Sequence, residues 1–308
     1  MRRCVPILGT ACLHALVGPS PAGAQEAANA MYITAAEAVA WEPLPHDARI
    51  PYGSESVQYG ELRLPEGPGP HPVAVVIHGG CWLSIATNDY MDPVAAALTD
   101  AGWATWNLEF RTIDQPHGSW PGIFQDIAQG TDKLRELQWE FPLDLDHVVT
   151  VGHSSGGHLA LWAASRHRIP EGAELHDADP LPIHGVISLA GIADLEHYAH
   201  MRVEACGDTP SQLLGGVDPS ESDRTAIASP AALLPTGVPQ LLVTGDDDYA
   251  VPPAHGDAYA ETARSRGQEA VHHVIPNSSH FEIVAPWTEP WKTAWDFIQP
   301  FLNRIRAS

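Results

Sequence analysis

The stretch Gly152-His153-Ser154-Ser155-Gly156 decides the predicted fold, because it has the G-x-S-x-G form of a nucleophile elbow. The run before it, residues 146–151, ends in four β-branched residues and predicts a short buried strand. Residues 157–168 predict a helix. A tight turn between strand and helix lifts the serine side chain to the edge of a sheet, and small flanking residues let the two elements approach closely. A plain glycine-rich turn is the alternative, so the rest of the chain has to decide.

Strand-like and helix-like segments alternate along most of the chain. Alternation predicts an early strand at residues 57–64, and further short strands are predicted at residues 73–77, 104–110, 185–189, 240–244 and 270–275. Helical spacing occurs at residues 93–101 and 124–139. This alternation predicts an α/β fold with a mostly parallel sheet and helices on both faces, in which ligands bind beyond the carboxyl ends of the strands.

A single α/β domain suits the length of 308 residues. We assign residues 57–308 to it and predict an irregular lead-in at residues 25–56. Residues from about 191 to 235 interrupt the alternation, because they are rich in acids, glycine and proline. We predict that they form an insertion over the carboxyl edge of the sheet.

The N-terminal residues have the pattern of a cleaved secretory signal. Arg2 and Arg3 are followed by a mostly apolar stretch at residues 4–17, and Ala22-Gly23-Ala24 supplies an A-x-A cleavage site. The apolar stretch is too short to span a bilayer. We therefore expect removal of residues 1–24 and export to the periplasm or the medium, without stable membrane insertion. A disordered or membrane-anchored N-terminus is the alternative.

Charge and cysteine content narrow the partners and the compartment. The formal net charge is −22, and so acidic a chain repels phosphate backbones, which argues against nucleic acid as a partner. Of four cysteines, Cys81 and Cys206 lie beyond the predicted signal. They can pair in an exported protein, although the sequence alone leaves open whether they lie within bonding distance.

Three residue types in the order Ser, Asp, His suggest nucleophilic catalysis. A serine hydroxyl needs a base within hydrogen-bond reach and an acid that orients the base. Residues 245–252 follow one predicted strand and contain three consecutive aspartates, and residues 277–281 follow the last strand and contain His280. Both loops leave the carboxyl ends of their strands, at the same edge as Ser154. We predict that His280 is the base.

The acid has to be chosen among Asp246, Asp247 and Asp248. Three carboxylates that are packed together repel one another, so we expect one to face the histidine. We select Asp248, because Val251-Pro252 follows it at a spacing typical of such loops. Two rival bases, His272 and His273, fall within a predicted strand, and we interpret them as structural.

The loop His78-Gly79-Gly80-Cys81-Trp82 follows a predicted core strand and is a candidate oxyanion hole, which needs backbone N–H groups aimed at developing charge. We predict donation from Ser155 and from Gly80 or Cys81. Trp82 and Trp120 are candidates for the substrate pocket, with packing in the core as the alternative. The 17 histidines show no zinc-type spacing with cysteines, so no metal or cofactor is predicted.

Together these residues resemble the α/β-hydrolase superfamily over nearly the whole chain beyond the predicted signal. The loop at residues 78–82 is similar to the HGGxW loop of the kynurenine formamidase-like and small carboxylesterase group, and residues 152–160 and 120–122 are similar to that group too. Cys81 departs from the three-glycine loop of the hormone-sensitive-lipase type. The resemblance implies an α/β-hydrolase fold and an esterase or amidase that needs no cofactor and acts on a small acyl group.

We therefore expect a serine hydrolase that cleaves a carboxylic ester, or a small amide, through an acyl-enzyme. The alternative is an arylformamidase acting on amides such as N-formylkynurenine, but predicted export fits poorly with an intracellular pathway. A serine peptidase of the prolyl-oligopeptidase type shares this residue order but would normally carry an additional large propeller domain. A non-catalytic binding protein on this fold would usually lack a triad member. The oligomeric state is left open.

Overall fold

A sheet of eight strands forms the centre of the computed structural model, which describes residues 32–308. In chain order the strands are β1 (Ala48–Pro51), β2 (Tyr59–Arg63), β3 (His71–Ile77), β4 (Ala104–Leu108), β5 (Leu143–His153), β6 (Gly185–Leu189), β7 (Gln240–Gly245) and β8 (Ala270–Ile275). They lie in the order β1-β2-β4-β3-β5-β6-β7-β8. The β1–β2 and β2–β4 pairs are antiparallel and the other pairs are parallel. The predicted signal lies outside the described residues.

The α-helices of residues 32–308 occupy the connections between these strands, except that the first helix precedes β1 and the last follows β8. They are α1 (Ala35–Ala38), α2 (Asp92–Asp100), α3 (Gly122–Asp132), α4 (Leu134–Leu137), α5 (Ser155–Ala163), α6 (Leu195–Met201), α7 (Thr209–Leu213), α8 (Thr225–Ala228), α9 (Pro253–Ser265) and α10 (Glu289–Arg306). No helix among residues 32–308 is both long enough and apolar enough to cross a membrane.

Strand β3 shows why the sheet is covered on both faces. Val73, Val75 and Ile77 belong to a core that includes α3 and α5, whereas Ala74 and Val76 belong to a second core with α2 and α10. Successive side chains of a strand point to opposite faces. A continuous apolar run is therefore what a strand between two helical layers requires, and the predicted α/β class is confirmed.

Several element boundaries differ from those predicted from the sequence. The single helix expected at residues 124–139 is two helices, α3 and α4, and the helix after the elbow ends at Ala163. The lead-in predicted as irregular contains α1 and β1, and residues from Ile33 onward belong to the same compact unit as the sheet. Both elements have only four residues, too few for a periodic pattern. Between β6 and β7 the predicted insertion contains α6, α7 and α8.

Candidate active site

Ser154 lies in the turn between β5 and α5 with φ 56° and ψ −124°. This left-handed backbone is strained for a residue with a side chain. A hydrogen bond of 2.9 Å from the Ser154 N–H to the Leu189 carbonyl holds the turn against β6. A Cβ atom at Gly152 would lie 2.1 Å from the Gly156 carbonyl oxygen, and one at Gly156 would lie 2.2 Å from that of Ile77. The glycines of the motif are thus required by close backbone approach.

The predicted acid and base are hydrogen-bonded to each other. His280 Nδ1 lies 2.8 Å from Asp248 Oδ2 and 3.0 Å from Oδ1. Asp248 Oδ1 also accepts the backbone N–H groups of Ala250 and Val251, both at 2.8 Å. Because these contacts hold a buried carboxylate against Nδ1, the other ring nitrogen of His280 is left for a partner in the pocket.

The rival residues lie elsewhere. Asp246 and Asp247 are exposed, and Asp246 Oδ1 accepts the Ser278 N–H at 3.0 Å. His272 bonds to Asp257 and Thr244, and His273 stacks on Phe297 at 3.7 Å between ring centroids. Both histidines thus have partners away from Ser154, as the sequence interpretation expected of structural side chains.

Some backbone N–H groups of the loop after β3 have hydrogen-bond acceptors and others do not. Gly79 N–H donates to the Tyr90 hydroxyl and Trp82 N–H donates to Ser155 Oγ at 3.2 Å. Within residues 32–308, the N–H groups of Gly80, Cys81 and Ser155 have no acceptor. These three are the predicted donors, and two of them follow one another at positive φ values of 110° and 53°.

A pocket of about 150 Å³ joins these parts. Its wall includes Ser154, His280, Gly80 and Cys81. The rest of the wall is mainly apolar, with Ala35, Val39, Ile85, Ala86, Ala205, Tyr249, Ala250 and Phe281 among its residues. The predicted nucleophile, the predicted base and two candidate oxyanion donors therefore face one cavity at the carboxyl edge of the sheet.

Cys81 and Cys206 form a disulfide, with Cα atoms 5.3 Å apart, so the pairing that the sequence left open is present. The bond joins the candidate oxyanion loop to the insertion between β6 and β7. Ala205, next to Cys206, lines the pocket. The insertion thus contributes to the pocket wall and is covalently held there.

The two tryptophans predicted for the pocket do not line it. Trp82 is 1% exposed, and its indole N–H donates to His158 Nδ1 at 3.2 Å. Trp120 packs edge-on against Phe124 and donates its indole N–H to Glu174. Both have bulky side chains that serve as packing between segments, which was the alternative reading of the sequence.

Sequence reasoning did not find the residues that complete the pocket. Val39 follows α1 in a segment predicted to be irregular, and Ile85 and Tyr249 are exposed side chains on loops. Nothing in their local pattern marks them. His153 and Tyr90 also line the cavity, and the position of His153 within the elbow was the one available signal.

One group of acidic side chains among residues 32–308 has a geometry that could hold a cation. It consists of Glu61, Asp89 and Asp92 near the start of α2. The Arg63 guanidinium already lies 2.6 Å from Asp92 Oδ1 and 3.5 Å from Glu61 Oε2. Because this positive charge already pairs with two of the three carboxylates, the cluster is better described as an ion-pair network.

Comparison with known proteins agrees with this architecture. Residues 62–262 match the model of the BD-FAE family. Among solved structures, a truncated carbohydrate esterase from gut microbiota superimposes with a TM-score of 0.72 at 20% identity, covering 87% of this chain and all of that one. Esterase B from Lactobacillus rhamnosis gives a TM-score of 0.68 at 21% identity, covering 93% of each chain. These neighbours share the α/β-hydrolase fold.

Curated relatives include two esterases of Mycobacterium tuberculosis (strain ATCC 25618 / H37Rv). Esterase LipC is 25% identical over 275 residues, which are 85% of this chain and 66% of LipC. Esterase LipQ is 25% identical over 231 residues, 70% of this chain and 51% of LipQ. The chain thus spans less than two thirds of either relative.

The resemblance to kynurenine formamidases stays a prediction. Since the family model covers well over half of the sequence, the chain belongs to the BD-FAE family.

Proposed function

We propose that this protein is a carboxylic ester hydrolase in which Ser154 is the nucleophile, His280 the base and Asp248 the orienting acid. The observation that carries the proposal is the single pocket that contains Ser154 and His280, with His280 bonded to the buried Asp248 at 2.8 Å. Esterase relatives and esterase structural neighbours support the same reaction class.

The reaction has two halves. His280 accepts the proton of the Ser154 hydroxyl while the serine oxygen bonds to the acyl carbon, and the protonated histidine then returns the proton to the departing alcohol. In the second half water replaces the alcohol. His280 takes a proton from the water as its oxygen bonds to the acyl carbon, and the bond from that carbon to Ser154 then breaks, releasing the carboxylic acid while His280 returns the proton to the serine oxygen. The Asp248 carboxylate stabilises the imidazolium that forms in each half.

The unpaired N–H groups of Gly80, Cys81 and Ser155 supply the oxyanion hole in this proposal. Charge develops on the acyl oxygen when the tetrahedral intermediate forms, and fixed backbone donors stabilise it without rearrangement. Gly79 and Trp82 are poor candidates, because their N–H groups are already bound to Tyr90 and Ser155 Oγ.

The pocket favours a small, uncharged acyl group. Its volume is about 150 Å³, and no acidic side chain, lysine or arginine lies among the described residues that line it. A carboxylate or ammonium group on the substrate would lose its hydration there without gaining a partner, which is costly. We therefore place short-chain esters ahead of charged substrates.

The test is turnover of p-nitrophenyl esters of increasing chain length by the wild type and by Ser154→Ala, with N-formylkynurenine assayed alongside. We expect the Ser154 variant to lose about 10⁴-fold or more in kcat. Ser265→Ala, at the end of α9, is the matched control and should match the wild type. Full turnover by Ser154→Ala contradicts the proposal, and a strong preference for the formamide would replace the ester with an arylformamidase substrate.

Export is also proposed. The disulfide between Cys81 and Cys206 supports it, because disulfides persist in oxidising compartments and are rare in the cytosol. Mass spectrometry of the protein recovered from a secreting host should find an N-terminus near residue 25. An uncleaved chain confined to the cytosol would contradict export.

A further inference from the structure

A line of buried hydrogen bonds runs along the inner wall of the pocket. Gly79 N–H donates to the Tyr90 hydroxyl, which lies 3.0 Å from His153 Nδ1. His153 Nε2 in turn lies 3.0 Å from the backbone carbonyl oxygen of His280. Tyr90 is 3% exposed and His153 is fully buried, so water does not compete for these contacts.

The direction of each bond follows from the chemistry of its atoms. A carbonyl oxygen only accepts, so His153 Nε2 carries a proton and donates to His280. Burial, followed by the nearby His280, lowers the pKa of His153 well below its ordinary value, so the ring is neutral and Nδ1 is an acceptor. The Tyr90 hydroxyl then donates to Nδ1 and accepts from Gly79. Each hydrogen bond in the line therefore has one defined donor and one defined acceptor.

The line connects the three segments that must be in register. Gly79 immediately precedes Gly80 in the candidate oxyanion loop, and His153 immediately precedes Ser154. The third segment is the loop of His280, whose ring centroid lies 4.5 Å from that of His153. A displacement of the His153 ring would therefore change the position of the His280 loop and, through Tyr90, that of the oxyanion loop.

We propose that Tyr90 and His153 are positioning residues that hold the His280 backbone and the Gly79-Gly80 loop in register with Ser154. The inference rests on the proposed function. Neither side chain takes a proton from substrate. The neutral state of His153 also matters, because a second positive charge beside His280 would oppose the imidazolium that forms during each half-reaction.

Tyr90→Phe is the first test, because it removes only the hydroxyl. The change leaves the Gly79 N–H without its acceptor and His153 Nδ1 without its donor, and buried polar groups without partners lower the free energy of unfolding. We expect kcat to fall about 10- to 100-fold with KM within about threefold, as for a group that acts on transition-state geometry. Assays are run at an equal margin below each variant's Tm, so that lost stability does not count as lost positioning.

Tyr259→Phe is the matched control. Tyr259 is 2% exposed and its hydroxyl donates to Gln240 Oε1 at 2.9 Å, at the start of β7 and away from the pocket. It should lose stability comparably while kcat stays within about twofold of the wild type. Equal kcat losses in Tyr90→Phe and Tyr259→Phe would overturn the inference.

Two replacements of His153 separate the ends of the line. The amide nitrogen of His153→Gln can occupy the place of Nε2 and still donate to the His280 carbonyl, whereas the shorter His153→Asn reaches only toward Tyr90. We expect His153→Gln to retain at least about fivefold more kcat than His153→Asn. A result in which both variants are equally impaired, or equally active, contradicts the positioning of His280.

Imidazole ¹⁵N NMR of the full-length protein at pH 7 gives a readout that is independent of turnover. We expect His153 to be protonated at Nε2 only, and the Nδ1 resonance to shift in Tyr90→Phe. A proton on Nδ1 overturns the inference even if the enzyme is an esterase. Conversely, turnover that survives Ser154→Ala removes the proposed function while the NMR result still decides the hydrogen-bond line.

Discussion

Ser154, His153 and His280 line the same pocket as Val39, Ile85 and Tyr249, but the two groups are held differently. The first three, the floor of the pocket, are at most 4% exposed and are fixed by backbone and side-chain hydrogen bonds. The second three, the mouth, are 45%, 64% and 55% exposed. The proposed reaction depends on fixed distances in the floor, so we expect changes in the mouth to affect it less.

The largest effect is expected beneath the floor, at Asp248. Asp248→Asn keeps the size of the side chain but replaces an acceptor with a group that can donate, which favours the wrong tautomer of His280. We expect kcat to fall by about 10⁴-fold. Steady-state kinetics with a short-chain ester provides the measurement. Asp247→Asn, one exposed residue away, is the control and should change kcat less than about threefold.

A smaller effect, on stability, is expected at the disulfide between Cys81 and Cys206, which holds the insertion against the pocket. Cys206→Ala opens a bond across a sequence separation of 125 residues. Loss of a bridge of this kind costs about 2–5 kcal/mol of stability. Urea unfolding measures it, and adding a reductant should destabilise the wild type but leave the variant unchanged. An equal urea midpoint for wild type and variant would show that the bridge contributes nothing.

The buried histidines of the floor and its surroundings predict the pH dependence of stability. Burial lowers the pKa of His158 to about 4 and of His255 to about 3, and it also lowers that of His153. Below the ordinary pKa of 6.5 these histidines are protonated in the unfolded chain but stay neutral in the folded protein. The contribution of these histidines to stability is therefore complete above pH 6.5 and falls as the pH drops toward about 4, by up to about 1.4 kcal/mol per pH unit for each histidine.

Thermal unfolding at pH 7.5, 6.0 and 5.0 tests this dependence. His255→Gln should reduce the fall in Tm between pH 6.5 and 5.0, because it removes one histidine that is protonated only in the unfolded chain. A Tm that stays level over this range would contradict the assignment of neutral, buried histidines.

The smallest effect is expected at the mouth. Ile85→Ala removes part of an apolar surface that a longer acyl or alcohol group would cover, worth about 1 kcal/mol or roughly fivefold in kcat/KM. We expect this loss for longer p-nitrophenyl esters and little change for the acetate. Val217→Ala is the control, because Val217 is also exposed but does not line the pocket. Equal losses for short and long esters would mean that Ile85 belongs functionally with the floor.

The convergence of Ser154, Asp248 and His280 at one edge of the sheet could be predicted from the sequence, whereas the residues of the mouth could not. Ser154, Asp248 and His280 each follow a recognisable strand, and the carboxyl ends of parallel strands meet at one edge, so strand order along the chain sufficed. Val39 and Ile85 come from segments without periodicity, and their placement depends on how distant loops pack. Trp82 shows the converse error, because a bulky aromatic beside a catalytic loop is as useful in packing as in binding.

By itself the sequence determined the α/β class and the elbow, and it predicted the order of the proposed nucleophile, acid and base, because each depends on local patterns of apolar residues and glycine. The tertiary structure alone decided which N–H groups stay unpaired, that Cys81 meets Cys206, and that His153 joins Tyr90 to the loop of His280. These features depend on contacts between residues far apart in the chain. Such contacts form only when the whole fold closes around the sheet, and no local pattern encodes them.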